Sequence, residues 1–116
     1  MSNKDFEQFE KEVMQKIMQE NPAIETVLRK QYENAKIINR EFTGVGFLTT
    51  FEVGTKDLQL KEFLDGELGD VQAIFEGLEH GVGFILFIRN GFIETLEGYT
   101  YDEPWSGEIM SYTLVS

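Results

Sequence analysis

One histidine and one acidic, aromatic run are where this chain of 116 residues could do chemistry. His80 sits in Gly77-Leu78-Glu79-His80-Gly81, between two stretches of strand-like alternation. An imidazole titrates near neutral pH, so His80 can act as a general base if a carboxylate orients it. Glu79 is adjacent, and Glu97 and Asp102 follow in the segment Leu96–Trp105. His80 with Glu97 and Asp102 is therefore the set a small hydrolase or ligand-binding enzyme would use, with or without a metal. The plainer reading is a loop histidine bonded to a backbone carbonyl or to solvent. A lone histidine builds neither a three-histidine metal site nor a His-x-x-x-His pair. No Gly-x-Ser-x-Gly or Ser-x-x-Lys motif supplies a nucleophile.

Carboxylates are the other source of ligands. Glu97, Asp102 and Glu103, with Glu67 and Asp70, are oxygen donors of the kind that hold Mg²⁺ or Ca²⁺. Asp65-Gly66-Glu67-Leu68-Gly69-Asp70 has the composition of a calcium loop but lacks its alternate-position ligands and distal bidentate Glu. It reads as a solvated acidic turn, and neither a metal nor a cofactor is expected. Gly-Val-Gly-Phe occurs at 44–47 and again at 81–84. A phosphate cradle needs such glycines to open onto a helix, usually with a Lys. Here each copy runs into apolar residues at strand spacing, so both mark a bulge or a close approach of neighbouring strands.

Leu96-Glu97-Gly98-Tyr99-Thr100-Tyr101-Asp102-Glu103-Pro104-Trp105 holds the only Trp and half of the four Tyr. Pro104 fixes one φ and biases Glu103 toward extended backbone, so the run is an ordered turn. Tyr and Trp combine an apolar body with a polar tip, which suits a wet-edged core plug or a binding anchor. The plug is favoured, since a small open sheet needs its end covered. Carboxylates around the aromatics suit the second use, in which Tyr99, Tyr101, Asp102, Glu103 and Trp105 dock a basic surface.

Charge narrows the partners. The net charge is −11, and residues 61–116 carry eleven acids against Lys61 and Arg89 alone. Such a field repels nucleic acid and anionic lipid and attracts basic proteins and cations. Excess acid also simply keeps a small protein soluble. The absence of Cys excludes disulfides, thiol catalysis and Cys-ligated metals. The N-terminus turns acidic at once, and no apolar run approaches the ~20 residues of a membrane span. A cytoplasmic protein is expected. With 41% hydrophobic residues and ten Phe, the chain has the material for a core.

These residues must be held by helices and strands that the periodicity outlines. Ser2-Asn3-Lys4-Asp5 has the form of a capped helix start. Phe6, Phe9, Val13 and Ile17, with Met14 and Met18, make one apolar helix face. Asn21-Pro22 restarts the pattern as cap and first helical position, and Ile24, Val27 and Leu28, then Gln31 or Tyr32, and Ala35 continue it to about residue 36. Phe47, Thr49, Phe51 and Val53 alternate at strand spacing, in a strand that can begin at Ile38 and bend at Gly44 and Gly46. Residues 54–66 read as a loop with a short element, and Val71, Ala73 and Phe75 alternate again. Asn90-Gly91 supplies a type I′ turn between Val82–Ile88 and Phe92–Leu96. That register pairs Arg89 with Phe92, Ile88 with Ile93 and Phe87 with Glu94, and it sets residue 97 opposite residue 84. Residues 98–103 then run back past 80–83, so His80 and the acidic, aromatic segment become neighbours. The first strand of this hairpin is apolar on both faces and should be central, its partner more exposed. A last strand is expected over Ile109–Val115, with Met110, Tyr112 and Leu114 on one face.

Four stretches carry a resemblance: Arg40–Phe47, Glu67–Val71, Gly77–Phe84 and Leu96–Trp105. With these blocks the chain resembles a family of small, uncharacterised bacterial proteins, single-domain and cytosolic. The similarity covers about residues 36–105. In such relatives a Pro often follows the Trp, where this chain has Ser106-Gly107. The resemblance supports the segmentation and implies no mechanism.

The expectation is one α+β domain over 1–116, helical over 1–36 and sheet over 37–116. Two N-terminal helices pack on a mostly antiparallel sheet of four to six strands. Its leading role is a non-enzymatic acidic module that engages a basic partner, as toxin-neutralising immunity proteins do. A homodimer seam formed by the aromatics is a third reading.

Overall fold

A computed structural model describes residues 3–116, with side chains from Asp5 onward. The elements are α1 (Asn3–Gln19), α2 (Glu25–Glu33), β1 (Ala35–Phe42), β2 (Gly46–Val53), a 3-10 turn (Lys56–Leu58), β3 (Gly66–Phe75), β4 (Val82–Arg89), β5 (Phe92–Thr100) and β6 (Tyr112–Val115). This is an α+β fold with its helices N-terminal, and the strands form one antiparallel sheet in the order β1-β2-β5-β4-β3-β6. The predicted Ser2 cap lies outside the described residues.

The buried stripe of α1 runs Phe6, Phe9, Glu10, Val13, Met14, Ile17 and Met18, at alternating three- and four-residue steps. Glu10 is the one charge in that stripe. Two hydrogen bonds from Arg40, at 2.6 and 3.2 Å, and one from the Thr49 hydroxyl at 2.5 Å satisfy its carboxylate. A buried carboxylate without such partners would be severely unfavourable. Both helices lie on the face of the sheet that carries Phe47, Phe84, Leu86, Ile93 and Leu96.

Several boundaries differ from expectation, each for a local reason. Asn21 does not cap α2: its side chain donates back to the Ile17 carbonyl at 2.7 Å, closing α1. The second helix therefore begins three residues after Pro22 and stops at Glu33, because Ala35 already pairs with Val53. Residues 38–53 are a hairpin, not one bent strand, and the chain reverses at Thr43–Val45. The acidic stretch 65–70 is not a solvated turn. It enters β3, and a bulge at Gly69-Asp70 absorbs the extra residue between Leu68 and Val71. The last strand keeps only Tyr112–Val115 of the expected span from Ile109.

The Asn90-Gly91 turn forms as expected, with φ of 52° and 78°, and Arg89 pairs with Phe92 and Ile88 with Ile93. Beyond that pair the register slips by one: Phe87 faces Thr95, not Glu94, and Phe84 faces Gly98, not Glu97. The physical reason is the core. Phe84 points at the helices, so the unbulged register would have placed the Glu97 carboxylate among buried rings. The bulge at Glu94 turns Glu97 to the opposite face and brings Gly98 inward. The Phe47 and Phe84 rings then approach to 6.3 Å over Gly98, which pairs with both residues.

That pairing also makes β5 an interior strand between β2 and β4, not the exposed partner its acids suggested. The 54–65 loop wraps the hairpin tip. Leu60 N–H donates to the Gly91 carbonyl, Gly91 N–H to that of Leu64, and Asn90 N–H to the Asp65 carboxylate. In both Gly-Val-Gly-Phe copies a glycine marks close approach. A Cβ on Gly46 or Gly81 would run into the carbonyl of Gly98 or Ala73 respectively.

Candidate functional site

Three segments converge at one end of the sheet: the β1–β2 turn, the β3–β4 connection and the chain leaving β5. Thr100 anchors the last of these. Its N–H donates to the Val45 carbonyl at 2.9 Å, and its single hydroxyl proton serves the Glu103 carbonyl at 2.6 Å, with the Val45 carbonyl a longer second acceptor at 3.1 Å. Glu103 in turn grips the β3–β4 connection. Its carboxylate accepts the backbone N–H of Glu79 at 2.8 Å and of His80 at 2.7 Å. Those two bonds, from Glu79 and then His80, hold the Glu103 carboxyl below its ordinary range despite its exposure to solvent. Residues 79–80 and 103 are therefore neighbours, as the hairpin geometry predicted.

Trp105 settles the plug-or-anchor question for one residue. It is 4% exposed, and its ring lies 5.4 Å from Phe75, 6.1 Å from Phe47 and 6.4 Å from Phe9. Its backbone N–H donates to the Gly44 carbonyl and its indole N–H to that of Glu108. Trp105 thus closes the open end of the core and is no surface anchor. Glu103 is likewise committed, since both its oxygens serve backbone donors.

Tyr99, Tyr101 and Asp102 remain on the surface. Tyr99 pairs across the strands with Gly83, where a Cβ would meet the Tyr99 ring at 2.6 Å, so the glycine leaves room for that ring. Burial, and then the neighbouring Tyr101, push the Tyr99 phenol above its ordinary pKa. The Tyr101 ring stands edge-on to Tyr99, with centroids 5.6 Å apart and 72° between planes, and is 40% exposed. Asp102 has a φ of 65°, a left-handed conformation that Asp tolerates better than most residues. Its carboxylate takes no hydrogen bond from any described residue.

Gln72, His80, Tyr101 and Asp102 line a shallow depression of about 540 Å³. His80 projects into it with a side chain 58% exposed, and Glu79 is its nearest carboxylate, at 4.0 Å. Glu97 is not part of this depression. It lies along β5 between Leu48 and Ile85, so the set His80, Glu97 and Asp102 does not assemble. Among the described residues no group of three or more His, Asp or Glu gathers as a metal would require. No described helix is long and apolar enough to cross a membrane.

Sequence reasoning missed Gln72, whose side-chain amide donates to the Tyr101 hydroxyl at 3.3 Å. The signal was present: with Val71, Ala73 and Phe75 inward, Gln72 and Ile74 must face out. Both belong to the side of the sheet that no helix covers. There Leu48, Ile85, Phe87 and Tyr99 stand half-buried, while Ile74 is 59% exposed. Glu41, Glu67 and Glu97 share that side, judged by their pairing with Leu48, Phe87 and Ile85. Among the described residues of that side, Lys36 stands across the strands from Glu52 and Arg89 is ion-paired with Glu94 at 3.0 Å. In comparisons with known proteins, no family model, no curated protein and no solved structure matches the chain.

Proposed function

We propose that this chain is a non-enzymatic interaction module that binds a basic protein through the helix-free face of its sheet, in the manner of an inhibitor or immunity protein. The observation that carries the reading is the composition of that face. Half-buried apolar and aromatic side chains stand among carboxylates, and of the cations described there Lys36 stands across from Glu52 and Arg89 is ion-paired with Glu94. Apolar contact supplies the anchor, and surplus carboxylates steer and select a cationic surface. The net charge of −11 adds long-range attraction for such a partner. Relative to the sequence expectation, the binding set loses Trp105 and Glu103 and retains Tyr99, Tyr101 and Asp102.

A titration of the isotope-labelled protein with a deca-lysine peptide tests this. Amide shifts are expected on β2, β4 and β5 residues of the open face, weakening as salt is raised. Shifts confined to α1 and α2, or indifferent to salt, would contradict the reading. A dimer in solution that protects Ile74 and Tyr101 would assign the face to a second copy instead.

A further inference from the structure

We infer that the depression formed by Gln72, His80, Tyr101 and Asp102 is a pocket for a guanidinium group, so that the basic partner is read through an arginine side chain. The inference rests on the basic-partner reading and adds the identity of the recognised group. Four features of the corner favour guanidinium over ammonium. Among the described residues no donor reaches the Asp102 carboxylate, so both oxygens face a planar fork of N–H groups. The Tyr101 ring is 40% exposed beside it, a surface on which a flat cation stacks. Gln72 spends its amide N–H on the Tyr101 hydroxyl, which leaves its amide oxygen as a further acceptor on the same wall. The depression is broad and shallow, about 540 Å³, and suits a wide planar head.

Position is held from beneath. Gly83 lets the Tyr99 ring lie against β4, Tyr99 meets Tyr101 edge-on, and Glu103 ties the His80 backbone to the segment that carries Asp102. A lysine ammonium is compact and strongly hydrated, and it gains little from a stacked, two-oxygen site.

The test is a pair of capped tripeptides, acetyl-Gly-Arg-Gly-amide and acetyl-Gly-Lys-Gly-amide, titrated into the labelled protein at low salt. The arginine peptide is expected to shift the amides of Gln72, His80, Tyr101 and Asp102, and to bind about tenfold more tightly than the lysine peptide. Asp102→Asn keeps the left-handed backbone and should abolish that preference, and Tyr101→Leu should weaken both peptides, each with an otherwise unchanged amide spectrum. Equal affinity for the two peptides, or shifts centred elsewhere on the open face, overturns the guanidinium pocket and leaves the basic-partner reading standing. If neither tripeptide nor deca-lysine shifts any residue of that face, both fall.

Discussion

Gln31 is the buried residue whose replacement tests the fold most directly. It lies on α2 with no exposed surface, and its amide does the work of an extra strand. The nitrogen donates to the Leu58 carbonyl at 2.7 Å and to the Gly91 carbonyl at 2.8 Å, and the oxygen accepts the Ile93 N–H at 2.9 Å. One side chain thereby ties α2 to the 54–65 loop and to the β4–β5 hairpin. Gln31→Leu preserves bulk, so no large cavity contributes. The Gly91 carbonyl keeps a bond from Leu60, but the Ile93 N–H and the Leu58 carbonyl lose their partner. At roughly 1–3 kcal/mol for the buried Ile93 N–H left unpaired, and less for the half-buried Leu58 carbonyl, the variant should lose about 2–3 kcal/mol. That is a measurable share of the roughly 5–15 kcal/mol that holds a domain folded. Urea unfolding followed by Trp105 fluorescence measures it, with an unchanged slope expected. Amide exchange at Ile93 should accelerate in parallel. Gln31→Glu sharpens the comparison, because a carboxylate still accepts from Ile93 but turns negative oxygens toward two carbonyls. Its neutral form is favoured in the folded state, so its penalty should be full at neutral pH and shrink on acidification. A loss below about 1 kcal/mol for Gln31→Leu, with Ile93 still protected, would refute the clasp.

Three further outcomes are expected. Trp105 emission should be blue-shifted and protected from a neutral quencher, and Trp105→Ala should cost roughly 3–5 kcal/mol. A red-shifted, freely quenched emission would contradict the core position. Glu103 has a folded-state pKa below its ordinary 4.5, so its contribution is present above that value and lost as pH falls through the lowered one. Glu103→Gln should remove that acid-range contribution and speed amide exchange at Glu79 and His80, whereas unchanged exchange would break the assignment. Burial, then Glu10, pushes the Tyr32 phenol to about 12, and burial, then the hydrogen bond it donates to Glu12, does the same for Tyr112. Their contribution is full below the ordinary 10 and is lost as pH rises through about 12. Phenolate absorbance should show Tyr32 and Tyr112 ionising late, with Tyr99 also above its ordinary value, and four indistinguishable titrations would oppose it.

What the sequence by itself determined is whatever follows from local spacing. The α1 face from Phe6 to Met18 was legible because a helix repeats every three to four residues. The Asn90-Gly91 hairpin was legible because few dipeptides accept positive φ twice in succession. The nearness of His80 to the acidic, aromatic run followed from that one turn. Tertiary structure alone decided the rest, since it depended on which side chains the core would admit. The one-residue slip beyond Ile88 exists because Glu97 cannot be buried beside Phe84, a conflict that arises only once the helices cover one face of the sheet. The same slip turns Glu97 onto the helix-free face, between Leu48 and Ile85 and outside the lining of the depression at His80. Asn21 could cap forward or backward by its type, and packing sent it back to Ile17. The segment Tyr99–Trp105 divided likewise: neighbours from the far end of the chain, Phe9, Phe47 and Phe75, drew Trp105 inward and left Tyr101 and Asp102 in water.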